Sequence, residues 1–361
     1  MSCTDYIVIG GGMLGAAIGY GLARQGLACT ILDGHDRDFR AARGNFGLVW
    51  VQSKGGGFPA YAQWTRNSSK LWPEFSRELK ELTGIDVQFK QTGGVHFCLT
   101  DEELVKRQAH LEKLVTESDG DFSYRMLDHS ELLKLEPELG PTIAGGSWSA
   151  YDGHVNPLYL LRAMHAGFSL KGGDYLTNHK VKDIEICRDG YRLHTEKGEL
   201  HCRHVILASG LDNARLAPMV GLKQPVFVQR GQILVSERIP KILNHPSNYL
   251  RQTVDGTVLI GDTKESVGLD DGQTVQAMAK MARQACKILP RLGQRRIVRG
   301  WGALRVLSAD GSPIYEQGNN AWAFSSHSGV TLAAIHALKL SSMIKKQIVN
   351  TNFLAFSANR F

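Results

Sequence analysis

The chain reads as an α/β (α+β) protein in which a helix-flanked parallel sheet is interrupted by an inserted antiparallel-sheet lobe. Three observations predict this. The β-branched run Tyr6-Ile7-Val8-Ile9 leads into Gly10-x-Gly12-x-x-Gly15, then an apolar stretch carrying Ala16, Ala17, Tyr20, Leu22 and Ala23, and a second strand (28–32) ends on Asp33. A later apolar run, His204-Val205-Ile206-Leu207-Ala208-Ser209-Gly210, ends in small residues, as a parallel strand does where it faces a ligand. Beyond Pro225 the pattern changes to alternation: residues 226–235 and 248–262 read as antiparallel strands, the second folded back at Asp255-Gly256.

Each glycine at the start has a mechanical reason. One makes the tight turn, one lets backbone approach a pyrophosphate, and one lets helix pack on strand. The helix N-terminus offers unpaired N–H groups and a positive dipole end to the phosphates. Asp33 lies 18 residues past Gly15, near the spacing of a carboxylate that holds a ribose hydroxyl. Strand, turn, helix, strand and acid in this order predict a Rossmann-like dinucleotide site. An acid at Asp33 disfavours a 2′-phosphate and so argues against NADP; FAD and NAD both remain open on these residues.

The remaining elements follow in order. A glycine-dense connection (Arg43-Gly44-Asn45-Phe46-Gly47-Leu48, then Gly55-Gly56-Gly57) is expected to carry backbone close to something flat. A long helix is predicted over 61–82, another over 101–118, and a short one over 130–135. Asp152-Gly153-His154-Val155-Asn156-Pro157 caps a helix that starts at Pro157, where proline is favoured. Residues 181–187 and 191–194 alternate like a hairpin closed at Asp189-Gly190. A helix over 273–289, a strand toward Arg305 and an apolar helix opening at 327–331 and running to about Lys346 complete the pattern. The expected division assigns 1–88, 142–222 and 300–361 to the dinucleotide domain, and 89–141 with 223–299 to the substrate lobe.

Composition sets the outer limits. At 361 residues, 43% hydrophobic and 21% charged, the chain has room for two cores and the make-up of an ordinary enzyme. Residues 6–23 are uncharged and approach the length of a membrane span, but they hold six glycines and follow Asp5 without a basic flank. No signal peptide or lipidation motif is legible, and a cytoplasmic protein is expected. The net charge of +7 favours anionic ligands. The cluster Arg291, Arg295, Arg296 and Arg299 lacks aromatic interleaving, so no nucleic acid is expected. His201-Cys202-Arg203-His204 lacks a second ligand pair, and no metal is expected. Six scattered cysteines, several in apolar patterns, fit reduced buried thiols.

Seven segments then occur in one order: the glycine motif; Gly44-Asn45-Phe46-Gly47-Leu48; Asp152 to Pro157; Ala208-Ser209-Gly210; Arg230-Gly231-Gln232; Gly302-Ala303-Leu304-Arg305 with Asp310-Gly311-Ser312-Pro313; and His327-Ser328-Gly329-Val330. Together they resemble the FAD-dependent D-amino acid oxidase superfamily, with glycine oxidase and sarcosine oxidase, over essentially the whole chain. The wording from Gly44 to Gln52 and from His327 to Leu332 is most similar to β subunits of heteromeric opine oxidases and hydroxyproline dehydrogenases, with the cyanide-forming glycine dehydrogenase subunit nearby.

The resemblance implies FAD and oxidation of the C–N bond of an amino acid or N-substituted amino acid, by hydride transfer from Cα to flavin N5, giving an imine. It places cofactor contacts on Gly10, Gly12, Met13, Leu14, Gly15, Asp33, Gly34, Ala42, Arg43, Phe46, Gly47, Leu48, Val181, Ser209 and Gly210, and on His327, Ser328, Gly329, Val330 and Thr331. Arg305 would fix the substrate carboxylate through its planar fork. Tyr249 would assist, His327 would be a second basic group, and Lys264 falls near an oxygen-activating lysine of sarcosine oxidases. No cysteine follows Cys286, so noncovalent FAD is expected. The implied assembly includes an α subunit and a γ subunit carrying an iron–sulfur centre, since this chain has no ligand set for one. Alternatives are a stand-alone glycine- or sarcosine-type oxidase using O2, and a non-catalytic flavin-bearing assembly subunit.

Overall fold

The computed structural model describes residues 3–36, 40–118, 120–348 and 354–361. The strand Cys3–Ile9 runs parallel to both Cys29–Leu32 and Gly198–Leu207, and Gly198–Leu207 runs parallel to Ala321–Ser325. An eight-stranded sheet results, with Asp174–Leu176 parallel at one edge and Ile314–Gln317 antiparallel at the other. The hairpin Val181–Cys187/Gly190–Thr195 extends it through Gly198–Leu207.

A strand buried on both faces must be apolar throughout, which explains the unbroken run at the start. Tyr6 and Val8 enter one core with Ile31, Tyr20 and Phe168, whereas Ile7 and Ile9 enter another with Val205, Leu207 and Tyr191. The following helix, Met13–Arg24, is buried from Met13 through Ala23. It therefore lacks the polar face of a surface helix. Because the central strands are parallel, their carboxyl ends gather Gly10, Asp33, Ala208 and Ser326 along one edge of the sheet. That edge is where an open α/β sheet takes its ligand.

The second lobe is built on a four-stranded antiparallel sheet, ordered Leu250–Gln252, Val258–Gly261, Phe227–Ser236, Ile297–Leu307. It shares a core with a three-stranded sheet of Gly94–Cys98, Gly145–Ser149 and Arg125–Asp128: Val95, Phe97 and Leu127 pack with Leu234, Ile260 and Met281. Strand Ile297–Leu307 pairs with Phe227–Ser236 from Leu307 opposite Phe227 to Ile297 opposite Ser236, with a register shift only between Val235 and Ser236. The expected boundary at 300 thus falls inside one strand, and Gly145–Ser149, expected beyond the lobe, pairs within it.

Local signals set most helix ends. Pro59–Thr83 opens with proline in its first turn and stops at Gly84 in the left-handed region. Thr100 caps Asp101–Thr116, Asp128 and Glu131 form a capping box on His129–Leu135, and Asn156 caps Pro157–Leu170. The last helix departs from expectation. Residues 327–332 form turns, and helix begins only at Ala333, continuing through a π-helical stretch (His336–Leu340) to Ser341–Lys346.

Candidate active site

A cavity of about 630 Å³ opens at the carboxyl edge of the parallel sheet. Gly10 has φ +106°, and a Cβ there would lie 2.5 Å from the Ala208 carbonyl oxygen. A Cβ at Gly15 would sit 1.8 Å from the Gly10 carbonyl oxygen, so helix and turn can meet only through glycine. Gly12 differs: its Cβ would enter open space, and no side chain caps the helix that begins at Met13. The first-turn N–H groups therefore face the cavity without a side-chain acceptor. Asp33 accepts hydrogen bonds from Tyr175 (2.7 Å) and the Gly34 N–H (3.0 Å) and is paired with Arg40.

A second cavity, of about 320 Å³, shares Asn45, Leu304, Val306, Ser326 and His327 with the first. Its walls are fixed by bonds between distant segments. Arg251, buried so that its pKa falls to about 10, donates to the Phe46 carbonyl at 2.5 Å. The Thr331 hydroxyl accepts from Trp50 N–H (3.1 Å) and donates to the Leu48 carbonyl (3.3 Å), and Trp72 donates to the Thr331 carbonyl (3.0 Å). Tyr61 and Ser328 share a 2.6 Å hydroxyl bond.

Ionisable side chains from four elements line this second cavity: Lys54, Asp262 with Lys264, Arg305 and His327. Arg305 pairs with Asp262 and donates to Gln229 Oε1 (3.3 Å) and the Arg230 carbonyl (3.2 Å). Burial, then the cations Lys54, Arg305 and Lys264, hold the His327 pKa well below the usual imidazole range, so His327 is neutral at neutral pH. Enclosure also lowers Lys54, to about 8. Beneath Lys54 lies a buried network: Asp152 Oδ1 accepts the N–H groups of Val51 (2.5 Å) and Gln52 (3.3 Å), and Arg107 donates to Gln52 O (2.9 Å) and Ser147 (2.8 Å). Asp152 Oδ2 has no partner, and burial pushes this carboxyl up to about 7.

Residues 5–343 match the family described as FAD dependent oxidoreductase (DAO). The chain belongs to this family. A subunit of opine oxidase from Rhizobium meliloti is 40% identical over 99% of this chain and 98% of its own length. The corresponding opine oxidase subunit of Agrobacterium tumefaciens (strain Ach5) is likewise 40% identical, with the same coverage. Among solved structures, glycine oxidase from Geobacillus kaustophilus superposes with a TM-score of 0.89 at 24% identity, over 100% of both chains, and shares the fold.

This flavoenzyme uses FAD, and the residues present fit it. A positive-φ turn, an uncapped helix N-terminus and an oriented carboxylate line one cavity, and that cavity runs on into a chamber walled by the Phe46–Leu48 and 327–331 segments. Of the residues expected to contact the cofactor, Gly10, Gly12, Met13, Leu14, Asp33, Gly34, Ala42, Arg43, Val181, Ser209, Gly210 and Gly329 line the first cavity. Phe46, Leu48, Ser328, Val330 and Thr331 line the second, and His327 lines both. Gly15 and Gly47 line neither; Gly15 packs helix on turn, and Gly47, at φ +91°, turns the chain where a Cβ would meet the Val155 carbonyl at 2.5 Å.

Among the residues expected to act on substrate, Arg305, Lys264 and His327 come together and Tyr249 does not. The Tyr249 ring packs against the core of the antiparallel lobe, and burial pushes its hydroxyl up to about 12. Its neighbour Asn248 lines the cavity instead: the expected strand over 248–249 is a turn, closed by the Ser247 N–H on the Leu250 carbonyl (2.8 Å), and the strand begins only at Leu250. Lys54, Arg40 and Tyr175 were not foreseen. A lysine directly before the Gly55-Gly56-Gly57 triplet was the available signal for Lys54.

Proposed function

We propose that this chain is the substrate-oxidising β subunit of an opine- or hydroxyproline-type oxidoreductase, converting the C–N bond of an N-substituted amino acid to an imine. The observation that carries the reading is Arg305 on the wall of the second cavity beside neutral His327. When bound, FAD supplies the acceptor for the hydride that leaves Cα. Arg305 takes the substrate carboxylate in place of Asp262, whose exposed side chain then turns to water. The cations around the site disfavour an ammonium on the substrate nitrogen, so the amine enters with its lone pair free. After hydride loss the iminium gives up its N–H proton to water, while His327, held neutral by burial and the surrounding cations, adds no charge beside it. Orientation by these fixed groups supplies much of the rate.

The two 40% identical relatives are each one subunit of an opine oxidase, which supports a heteromeric assembly here as well. In this proposal electrons pass on to an α subunit and an iron–sulfur-bearing γ subunit. Noncovalent FAD belongs to the same reading, since no cysteine is among the residues lining either cavity. So does a reducing, cytoplasmic setting, supported by the free buried thiols of Cys29 and Cys98. Lys264 on the cavity wall favours a second reading, a stand-alone oxidase. Hydrogen peroxide made by the isolated chain with substrate would select that reading.

The deciding experiment is anaerobic mixing of FAD-loaded protein with opines, hydroxyproline, D-proline, glycine and sarcosine. Bleaching of the visible flavin band by an N-substituted member is expected. No bleaching by any member would refute substrate oxidation and leave a non-catalytic assembly role.

A further inference from the structure

The substrate end of the cavity holds more positive charge than one carboxylate needs. Arg305 already faces Asp262, and Lys264 is exposed on the segment that follows it. Lys54 is differently placed. Its half-buried side chain lines the same cavity from the turn 51–54, and no hydrogen bond or ion pair of its ammonium occurs among the described residues. The turn beneath it is fixed on all sides. Lys54 N–H closes onto the Val51 carbonyl at 2.9 Å, Asp152 holds the N–H groups of Val51 and Gln52, and Arg107 holds the Gln52 carbonyl. A rigidly mounted, partly desolvated and unpaired cation forgoes hydration that an incoming anion restores.

We propose that Lys54 binds a second, distal carboxylate of the substrate, so that the preferred substrates are secondary amines with a carboxylate on each side of the nitrogen. This rests on the reading of Arg305 as the site of the first carboxylate. Lys54 then selects N-(carboxyalkyl) amino acids over simple N-alkyl amino acids, which leave its charge unpaired. The same enclosure makes the preference depend on pH. Burial, Lys264 and Arg305 lower the Lys54 pKa, Asp262 and Asp152 oppose them, and neighbouring His327 stays neutral; the ammonium loses its proton at about 8. Above that pH the distal carboxylate loses its partner, whereas a guanidinium keeps its charge.

The test uses FAD-loaded protein and two thioethers that cannot be oxidised at nitrogen: thiodiacetate, with two carboxylates, and (methylthio)acetate, with one. Dissociation constants are read from perturbation of the flavin spectrum. Wild type is expected to favour thiodiacetate by about thirtyfold near neutral pH, and both Lys54→Met and Lys54→Gln should reduce that ratio to about threefold or less. A wild-type ratio near unity overturns the proposal, as does a ratio preserved in either variant. Should neither variant retain FAD, a pH series on wild type decides: a ratio that falls through about 8 supports the subsite, and a ratio independent of pH overturns it. A wild-type thiodiacetate preference that both variants lose, with no flavin bleaching by any dicarboxylic amine, would instead sink the oxidation reading and leave the subsite standing.

Discussion

At the parallel-sheet end of the joined cavities the wall is built from backbone: a positive-φ turn at Gly10, an uncapped helix start at Gly12 and a strand end at Ala208. At the other end it is built from ionisable side chains on four separate elements, Lys54, Asp262 with Lys264, Arg305 and His327. The first end must bind a constant group, and backbone geometry does that from a stretch of consecutive residues. On the proposed function the second end discriminates among substrates, and that falls to side chains brought together only by folding. Backbone-built sites fail by steric exclusion, while charge-built sites fail by losing a partner.

Two glycine substitutions sharpen this contrast most strongly. Gly15→Val should abolish soluble flavoprotein, because any Cβ lies 1.8 Å from a backbone oxygen that cannot move without the strand. Gly12→Ala, whose Cβ meets nothing, should leave the melting temperature of the apoprotein within about 2 °C of wild type while FAD affinity falls about tenfold. Equal damage to both apoproteins would contradict the division of labour. At the other end, Arg305→Ala should retain FAD yet lower kcat/KM by about a thousandfold, as truncating one partner of a sheltered charge pair costs several kcal/mol. Unchanged kinetics would remove Arg305 from the site. Asp33→Ala is a smaller intervention: FAD retention after dialysis should weaken by about tenfold, the worth of one charge-assisted hydrogen bond, and full occupancy would dismiss its ribose role.

Asp152 supplies the mildest effect. Burial raises its carboxyl to about 7, far above an unfolded aspartate, so the native protein keeps a proton that the unfolded chain releases. That stabilising contribution is present in acid and is lost as pH climbs toward about 7. Asp152→Asn preserves the acceptor for the Val51 and Gln52 N–H groups and removes the titration. Its melting temperature, relative to wild type, should therefore rise by a few degrees between about pH 5 and pH 8. Parallel melting curves across that range would refute the raised pKa.

The same contrast explains what could be read in the sequence. Gly10 to Gly15 with Asp33, and the strand ending at Ala208, are local patterns whose spacing carries their geometry, and they fall where the pattern puts them. The helix start with an explicit signal, Asn156-Pro157, was equally legible. The strands Ile314–Gln317 and Ala321–Ser325 were not, because each is short and gains its definition from pairing with Gly198–Leu207 or with each other. Turns at 327–332 replaced the expected first helical turns, since the Thr331 hydroxyl and carbonyl are committed to Trp50, Leu48 and Trp72. Tyr249 missed the cavity because the residues before Leu250 turn instead of extending, and Lys54 escaped notice because nothing local marks a lysine whose distinction is the company it keeps after folding.

The most direct measurement is anaerobic titration of the FAD-loaded protein with a dicarboxylic secondary amine, wild type beside Arg305→Ala. If a carboxylate on Arg305 presents the amine for oxidation, the visible flavin band bleaches in wild type at substrate levels that leave the variant yellow. Bleaching at the same concentrations in both proteins, or in neither, would contradict it.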